Sequence, residues 1–216
     1  MTVAFSVSQQ HYLFGVQTFA HTVLSLGGDE YRYALRDRTT QGVIADVAEG
    51  VSEVGVIVET SATQDAIEAA LAEAGLTFTK LAESAPRVAL PQSHPLSNAE
   101  SLSLDELSDW PYVYFDQGDA PLAFAEEALA DVPRGKVVSC TDRASLSELC
   151  SALNGYTVTS GILVGIADGS SLTTVALDTD VRLHLGYVSR AGETLSETAA
   201  AFVQRLEASL KRYARA

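Results

Sequence analysis

Residues that carry chemistry are scarce in this sequence. It has two cysteines, four histidines and a single tryptophan in 216 residues. Cys140 and Cys150 form neither a CxxC nor a Cys/His cluster, so a zinc site has no support, and both are expected to be reduced, buried small residues. Neither GxGxxG nor GxxxxGK[ST] occurs, which removes the usual dinucleotide and P-loop nucleotide sites. The nucleophile elbow GxSxG and the metal pair HExxH are also missing. His11, His21, His94 and His184 are scattered over different predicted elements, and no acidic pair shows an acid/base division of labour. No catalytic residue, metal ligand or cofactor is therefore assigned.

Basic charge is scarce too. Against 28 acidic residues stand 14 basic ones, a net charge of −14. Such a field repels a phosphate backbone and argues against direct nucleic-acid binding by these residues. No apolar run approaches the roughly 20 residues of a membrane span. The opening "MTVAFSVSQQHYLFG" has no basic n-region and no cleavage pattern, so a cytoplasmic location is expected.

What the sequence does have is alternation of elements. Strands are predicted at residues 2–8, 31–37 and over "EVGVIVE" (53–59), whose unbroken apolar run suits burial on both faces of a sheet. Between and after them lie helices at 14–24, one capped by Thr39 or Thr40 and ending at Gly50, and one at 64–74. This order implies βαβ units and a mostly parallel sheet. The pattern then restarts with strands at 87–91, 112–115 and 136–140, a short helix in "LSLDEL" (102–107) and another at 122–130. "DRASLSELCSALN" reads as a helix with Asp142 as N-cap. "YTVTSGILV" (156–164) and residues 181–189 read as strands, and 196–212 as a terminal amphipathic helix. Two α/β lobes are expected.

Small polar residues cluster after the predicted strands: "SVSQQH", "DRTTQ", "FDQGD", "SCTDR" and "TVTSG". In open α/β sheets ligands sit beyond the carboxyl ends of the strands, where helix N-termini offer free N–H groups. Caps and turns are the commonest use of such residues, yet their recurrence in both halves points to a cleft between lobes.

The same stretches resemble the effector-binding (C-terminal regulatory) domain of LysR-type transcriptional regulators, over nearly the whole chain. "DVAEGVSEVGVIV" is similar to that family's amphipathic helix followed by an apolar strand. "VALPQSHPLSNAESLSLDELSDWPYVYF" looks like its strand, His-Pro-Leu turn and short helix, and "LSELCSALNGYTVTSG" like its late glycine-rich helix and turn. The resemblance implies an α/β fold of two Rossmann-like lobes around a central cleft, of the type 2 periplasmic-binding-protein kind. It places residues 1–84 and 161–216 in lobe I and 85–160 in lobe II. It also makes His94 a structural residue of the turn that opens lobe II.

The function implied is the binding of a small polar effector between the lobes, with relay to a DNA-binding domain. The family's N-terminal winged helix-turn-helix has no counterpart before Val3, so DNA contact is expected only through a domain missing from this chain. Effector contacts are expected from Ser8, Gln9, Gln10, His11, Thr40, Thr159 and Ser160, with Asp116 or Gln117 and Asp142 or Arg143 from lobe II. Arg36, Arg38, Arg143 and His11 are candidates to recognise a carboxylate. Ser160 stands where the family usually has proline, so effector identity does not carry over. Partners implied are the effector and a second copy, as a homodimer or a dimer of dimers, with no membrane. The alternative is a periplasmic-type solute-binding protein of a transporter, which shares the fold.

Overall fold

A computed structural model describes residues 4–162 and 172–213. The first expected strand's start at residues 2–3, the tail of the strand expected over 156–164, and the two ends of the expected first lobe lie outside the described residues. Two main sheets form. The first has five strands in the order β2 (Tyr33–Asp37), β1 (Phe5–Gln9), β3 (Val54–Thr60), β11 (Leu183–Arg190) and β4 (Leu76–Ser84). β1 pairs in parallel with β2 and β3, while β11 runs antiparallel to both β3 and β4.

The apolar run in β3 is explained by its two faces. Val54, Val56 and Val58 join the cluster that holds Phe5, Phe14, Phe202 and Leu206. Ile57 points the other way, into Val43, Val47, Ile67 and Leu71. α1 (Leu13–Leu26) and α5 (Glu197–Tyr213) therefore cover one face, and α2 (Thr40–Ala48) and α3 (Gln64–Glu73) cover the other. Gly55 lets α2 approach closely, since a Cβ there would stand 2.6 Å from Val43 Cγ1.

The second sheet has the order β6 (Ser101–Leu102), β10 (Leu172–Leu177), β5 (Arg87–Pro91) and β9 (Thr157–Thr159). A parallel pair, β7 (Tyr112–Phe115) and β8 (Val137–Cys140), continues it through the Tyr112–Tyr156 bridge. α4 (Arg143–Leu153) packs on β7 through Leu146 and Cys150, with Asp142 accepting the Ser145 N–H as N-cap. The chain crosses between sheets after β4 and returns after β10. Residues 172–177, which the expected boundaries give to the first lobe, form β10 and pair with β5 and β6. No helix among the described residues is long and apolar enough to cross a membrane.

Several elements differ from the sequence reading, the unanticipated two-residue β6 among them. β4 was not anticipated: it is an edge strand whose residues beyond Leu76 are half-buried or exposed, and a register shift against β11 interrupts its two-residue alternation near Leu81. β10 was not anticipated either. The "LSLDEL" helix is a set of turns, although Ser103 and Glu106 make the reciprocal capping bonds that such a helix start would have. The helix expected over 122–130 shrinks to a single 3₁₀ turn at Leu122–Phe124. Beyond it Ala125 is extended and Leu129 takes φ +60°, because the chain opens to send Glu126 and Glu127 inward.

Candidate functional site

The carboxyl ends of β1 and β2 and the start of α2 face the second sheet across a narrow cleft. The polar residues after β1 are already engaged. Ser8 donates to the Asp46 carboxylate and exchanges a hydrogen bond with Ser52, 2.8 Å away. Gln9 Nε2 donates to Asp37 at 3.0 Å. Gln10 Oε1 accepts the Val58 N–H at 2.6 Å, and its Nε2 donates to the Thr40 hydroxyl at 2.7 Å. All three are fully buried within the first lobe. Arg36 donates to Ser52, and Arg38 pairs with Asp46, so these cations are also engaged within the first lobe, and neither lines the cleft cavity. Ser160 holds its own turn, its hydroxyl accepting from Ile162 N–H. Asp142 caps α4, and Asp116 accepts from Gly118 N–H at the surface.

The other predicted residues converge. His11 crosses to the second lobe, its backbone N–H donating to Glu126 Oε1 at 2.8 Å and its Nδ1 lying 2.9 Å from Glu126 Oε2. Its ring stacks on Phe115 at a centroid distance of 4.0 Å. Tyr12 donates its hydroxyl to the Glu126 carbonyl. Arg143, in the first turn of α4, pairs with Asp37 at 2.8 Å. Thr40, at the N-terminus of α2, donates its N–H to Gln117 Oε1 at 3.1 Å. Four connections thus tie one lobe to the other.

Beside them a cavity of about 90 Å³ is walled by His11, Phe115, Arg143, Leu146 and Thr159. It is smaller than the several hundred Å³ usual for metabolite pockets. Among the described residues, two donors at the cleft lack a partner, Arg143 Nη1 and Gln117 Nε2. The Gln117 orientation follows from chemistry, since only its Oε1 can accept the Thr40 N–H.

The electrostatics centre on the two buried glutamates. Burial alone would lower the His11 pKa, but the hydrogen bond and charge of Glu126 outweigh it and raise it. Burial raises Glu126 against the opposing pull of His11. Glu127 is pushed up to about 8 by burial and by the neighbouring Glu126 charge, while its Oε1 accepts the Phe115 N–H at 2.7 Å. Sequence reasoning missed Glu126, Glu127, Asp37 and Phe115. The available signal was "FAEEALA" (124–130), an acidic pair enclosed on both sides by apolar residues. Cys140 and Cys150 are free and buried, and burial pushes the Cys150 thiol up to about 12. His94 is buried edge-on to Trp110 and accepts the Leu96 N–H, which pins the turn that opens the second sheet.

Known proteins share this architecture. The effector binding domain of QuiR, solved in complex with shikimate, superposes with a TM-score of 0.65 at 13% identity, over 97% of both chains. HinK, a LysR family transcriptional regulator from Pseudomonas aeruginosa, gives 0.66 at 16% identity over 95% of this chain and 70% of its own. OxyR from Corynebacterium glutamicum in its oxidized form gives 0.60 at 15% identity, over 98% of this chain and 65% of its own. No curated protein sequence matches. The family model described as the LysR substrate binding domain matches residues 30–211. The chain belongs to the LysR substrate-binding-domain family and is the ligand-sensing regulatory domain of a LysR-type regulator.

Proposed function

We propose that the effector is a small metabolite bearing a carboxylate, held between the lobes by Arg143, Thr159 and His11, with Thr40 and Gln117 at the edge of the same cleft. Ser8, Gln9, Gln10 and Ser160 support this site from behind through their own hydrogen bonds. Residues 1–84 and 161–216 act as one lobe, with β10 contributed to the other sheet, and 85–160 as the second. The observation that carries the reading is the Arg143 guanidinium. It lines the cavity with Nη1 unpartnered among the described residues, while Nη2 holds an internal carboxylate, Asp37. A ligand carboxylate would compete with Asp37, and the 90 Å³ cavity would have to widen to admit it. Closure thereby becomes ligand-dependent, because the effector favours whichever lobe arrangement gives Arg143 the better partner.

The reading makes the chain a binding module in the cytoplasm, without catalysis, that relays lobe closure to the regulator's DNA-binding domain. It works as a homodimer or a dimer of dimers. α1, whose outer face exposes Leu24 at 84%, supplies an apolar surface for the second copy. A transporter's solute-binding protein is the less favoured reading, given the family match.

A thermal-shift screen of metabolite carboxylates, each beside its neutral amide, tests the effector class. A true effector at 100 times its dissociation constant adds about 2.7 kcal/mol, or roughly 5–10 °C for a domain of this size. Hits confined to uncharged compounds would overturn the carboxylate assignment.

A further inference from the structure

A second cavity, of about 320 Å³, lies wholly inside the second lobe, between the β7–β8 pair and the segment running from Pro121 to Arg134. Its walls are aromatic and apolar: Tyr112, Tyr114, Pro121, Leu122 and Val137. Tyr112 and Tyr114 alternate along β7, so both rings stand on one face, stacked at 5.6 Å and 11°. The opposite face of β7 sends Val113 into the α4 contact.

The wall carries a chemical asymmetry. Among the described residues, three side chains that line this cavity hold buried polar atoms without a partner: Tyr112 Oη, Gln117 Nε2 and Arg134 Nη2. Each can donate a hydrogen bond, and each is shielded from solvent, so water does not satisfy it. Arg134 is held by neutral groups only. Nη1 donates to the Leu129 and Val132 carbonyls, Nε donates to the Tyr156 hydroxyl, and the guanidinium lies 3.9 Å above the Tyr112 ring. It forms no ion pair among the described residues. Glu127 feels its charge but keeps its own proton to about pH 8, through burial and the adjacent Glu126. A half-buried cation without a counter-ion, next to two further open donors, calls for an anion with several acceptor oxygens. Asp116 and Asp131 stand at the mouth, both exposed, where water screens them.

We infer that this cavity is a second ligand site, distinct from the interlobe cleft, and that it takes a planar aromatic carboxylate. The ring lies against Tyr112, Tyr114 and Val137, and the carboxylate takes Arg134 Nη2, the Tyr112 hydroxyl and Gln117 Nε2, after small shifts that expose these donors. Gln117 gives the site a consequence for the whole domain. Its Oε1 accepts the Thr40 N–H from the first lobe, so an occupant that fixes Nε2 also fixes this contact across the cleft. Occupancy therefore favours the closed lobes. The site shares Gln117 with the edge of the cleft, but Arg134 and the Tyr112 hydroxyl belong to it alone, so it stands whether or not the effector reading is right.

The test uses 2-naphthoate as a fluorescent aromatic carboxylate, titrated into the 216-residue chain, with 2-naphthamide as its neutral twin. The expected result is one saturable site for the naphthoate, with the amide weaker by about tenfold or more, as the loss of a charge-assisted hydrogen bond requires. Arg134→Gln should weaken naphthoate by a similar factor. Should that variant fail to fold, Leu122→Trp replaces it: Leu122 is 63% exposed at the cavity wall, so the larger ring fills the cavity without disturbing the core. Lys80→Gln, an exposed first-lobe cation that lines neither cavity, should leave the titration unchanged. Absence of saturable binding, equal binding of the amide, or binding lost in Arg143→Gln yet kept in Leu122→Trp would each overturn the second site. The last of these would move the ligand to the interlobe cleft.

Discussion

The two lobes treat their polar side chains in opposite ways. In the first lobe, Ser8, Gln9 and Gln10 are consumed by Asp46, Ser52, Asp37, Val58 and Thr40. Among the described residues, the buried polar atoms left over there are two carbonyl-type oxygens, Gln9 Oε1 and Glu59 Oε2, and the Ser84 hydroxyl. In the second lobe the leftover atoms at the cavities are Tyr112 Oη, Gln117 Nε2, Arg134 Nη2 and Arg143 Nη1, all able to donate. An unmade hydrogen bond to a buried group costs about 1–3 kcal/mol, so a set of like-signed vacancies is a recognition pattern rather than scatter. The first lobe is built as a frame, and the second offers donors to an acceptor-rich ligand. A conservative change in the frame should cost stability, and one among the donors should cost affinity.

The largest effect is expected where the lobes meet. Glu126→Ala removes the carboxylate that holds both the His11 ring and its backbone N–H, with the two side chains only 5% and 2% exposed. Breaking such a buried pair from one side costs about 3–5 kcal/mol, read as a lower midpoint in guanidinium unfolding. A change under 1 kcal/mol would show that the pair does not join the lobes.

Next in size is the pH dependence. Glu127 keeps its proton in the folded state up to about 8, above its ordinary value of 4.5, and His11 is also raised, by Glu126 against the burial penalty. Both groups bind protons on folding, so their stabilisation is complete below their unfolded pKa values. It is lost as pH rises, for Glu127 between 4.5 and about 8. Glu59, raised to about 7 by burial and by Glu68, acts in the same sense. His94 and His184 are lowered by burial and oppose this trend, but only near their own range around 6.5. Unfolding free energy should fall by a few kcal/mol, in order of magnitude, from pH 5 to pH 8. Glu127→Gln, which copies the protonated form, should flatten the slope, and an unchanged slope would refute the assignment.

Gln10→Ala comes third. It leaves the Val58 N–H and the Thr40 hydroxyl unpaired and should cost about 1–3 kcal/mol in the same unfolding assay. Arg143→Gln is expected to cost the least stability, under about 1 kcal/mol, because its pair with Asp37 is 26% and 35% exposed. If Arg143→Gln destabilised the chain more than Gln10→Ala, the division of labour between lobes would fail.

Legibility in the sequence follows the same division. The strands of the first sheet could be read because burial on one or both faces imposes a simple pattern, as in "VGVIVE". β4 escaped because a bulge breaks its alternation and, of its residues, Leu76 alone is fully buried. The segment after Pro121 was read as a helix from its composition, but the contacts that open it lie 115 positions away at His11 and 12 away at Phe115. No local window contains that information. The polar residues after each strand were legible as candidates, but not whether their bonds were already spent. Gln10 and Arg143 look equally available in the sequence, and their difference appears only when Val58, Thr40 and Asp37 are brought beside them. Glu126 and Glu127 were hidden for the same reason: acidic residues on an exposed helix and acidic residues at a buried lobe junction are written identically.

The measurement that bears most directly on the account is a calorimetric titration of a carboxylate hit against wild type and Arg143→Gln, run side by side. A carboxylate held by Arg143 between the lobes predicts at least about a tenfold loss of affinity in the variant, with an unfolding midpoint close to wild type. Undiminished affinity in a stably folded Arg143→Gln would contradict it and place the effector elsewhere.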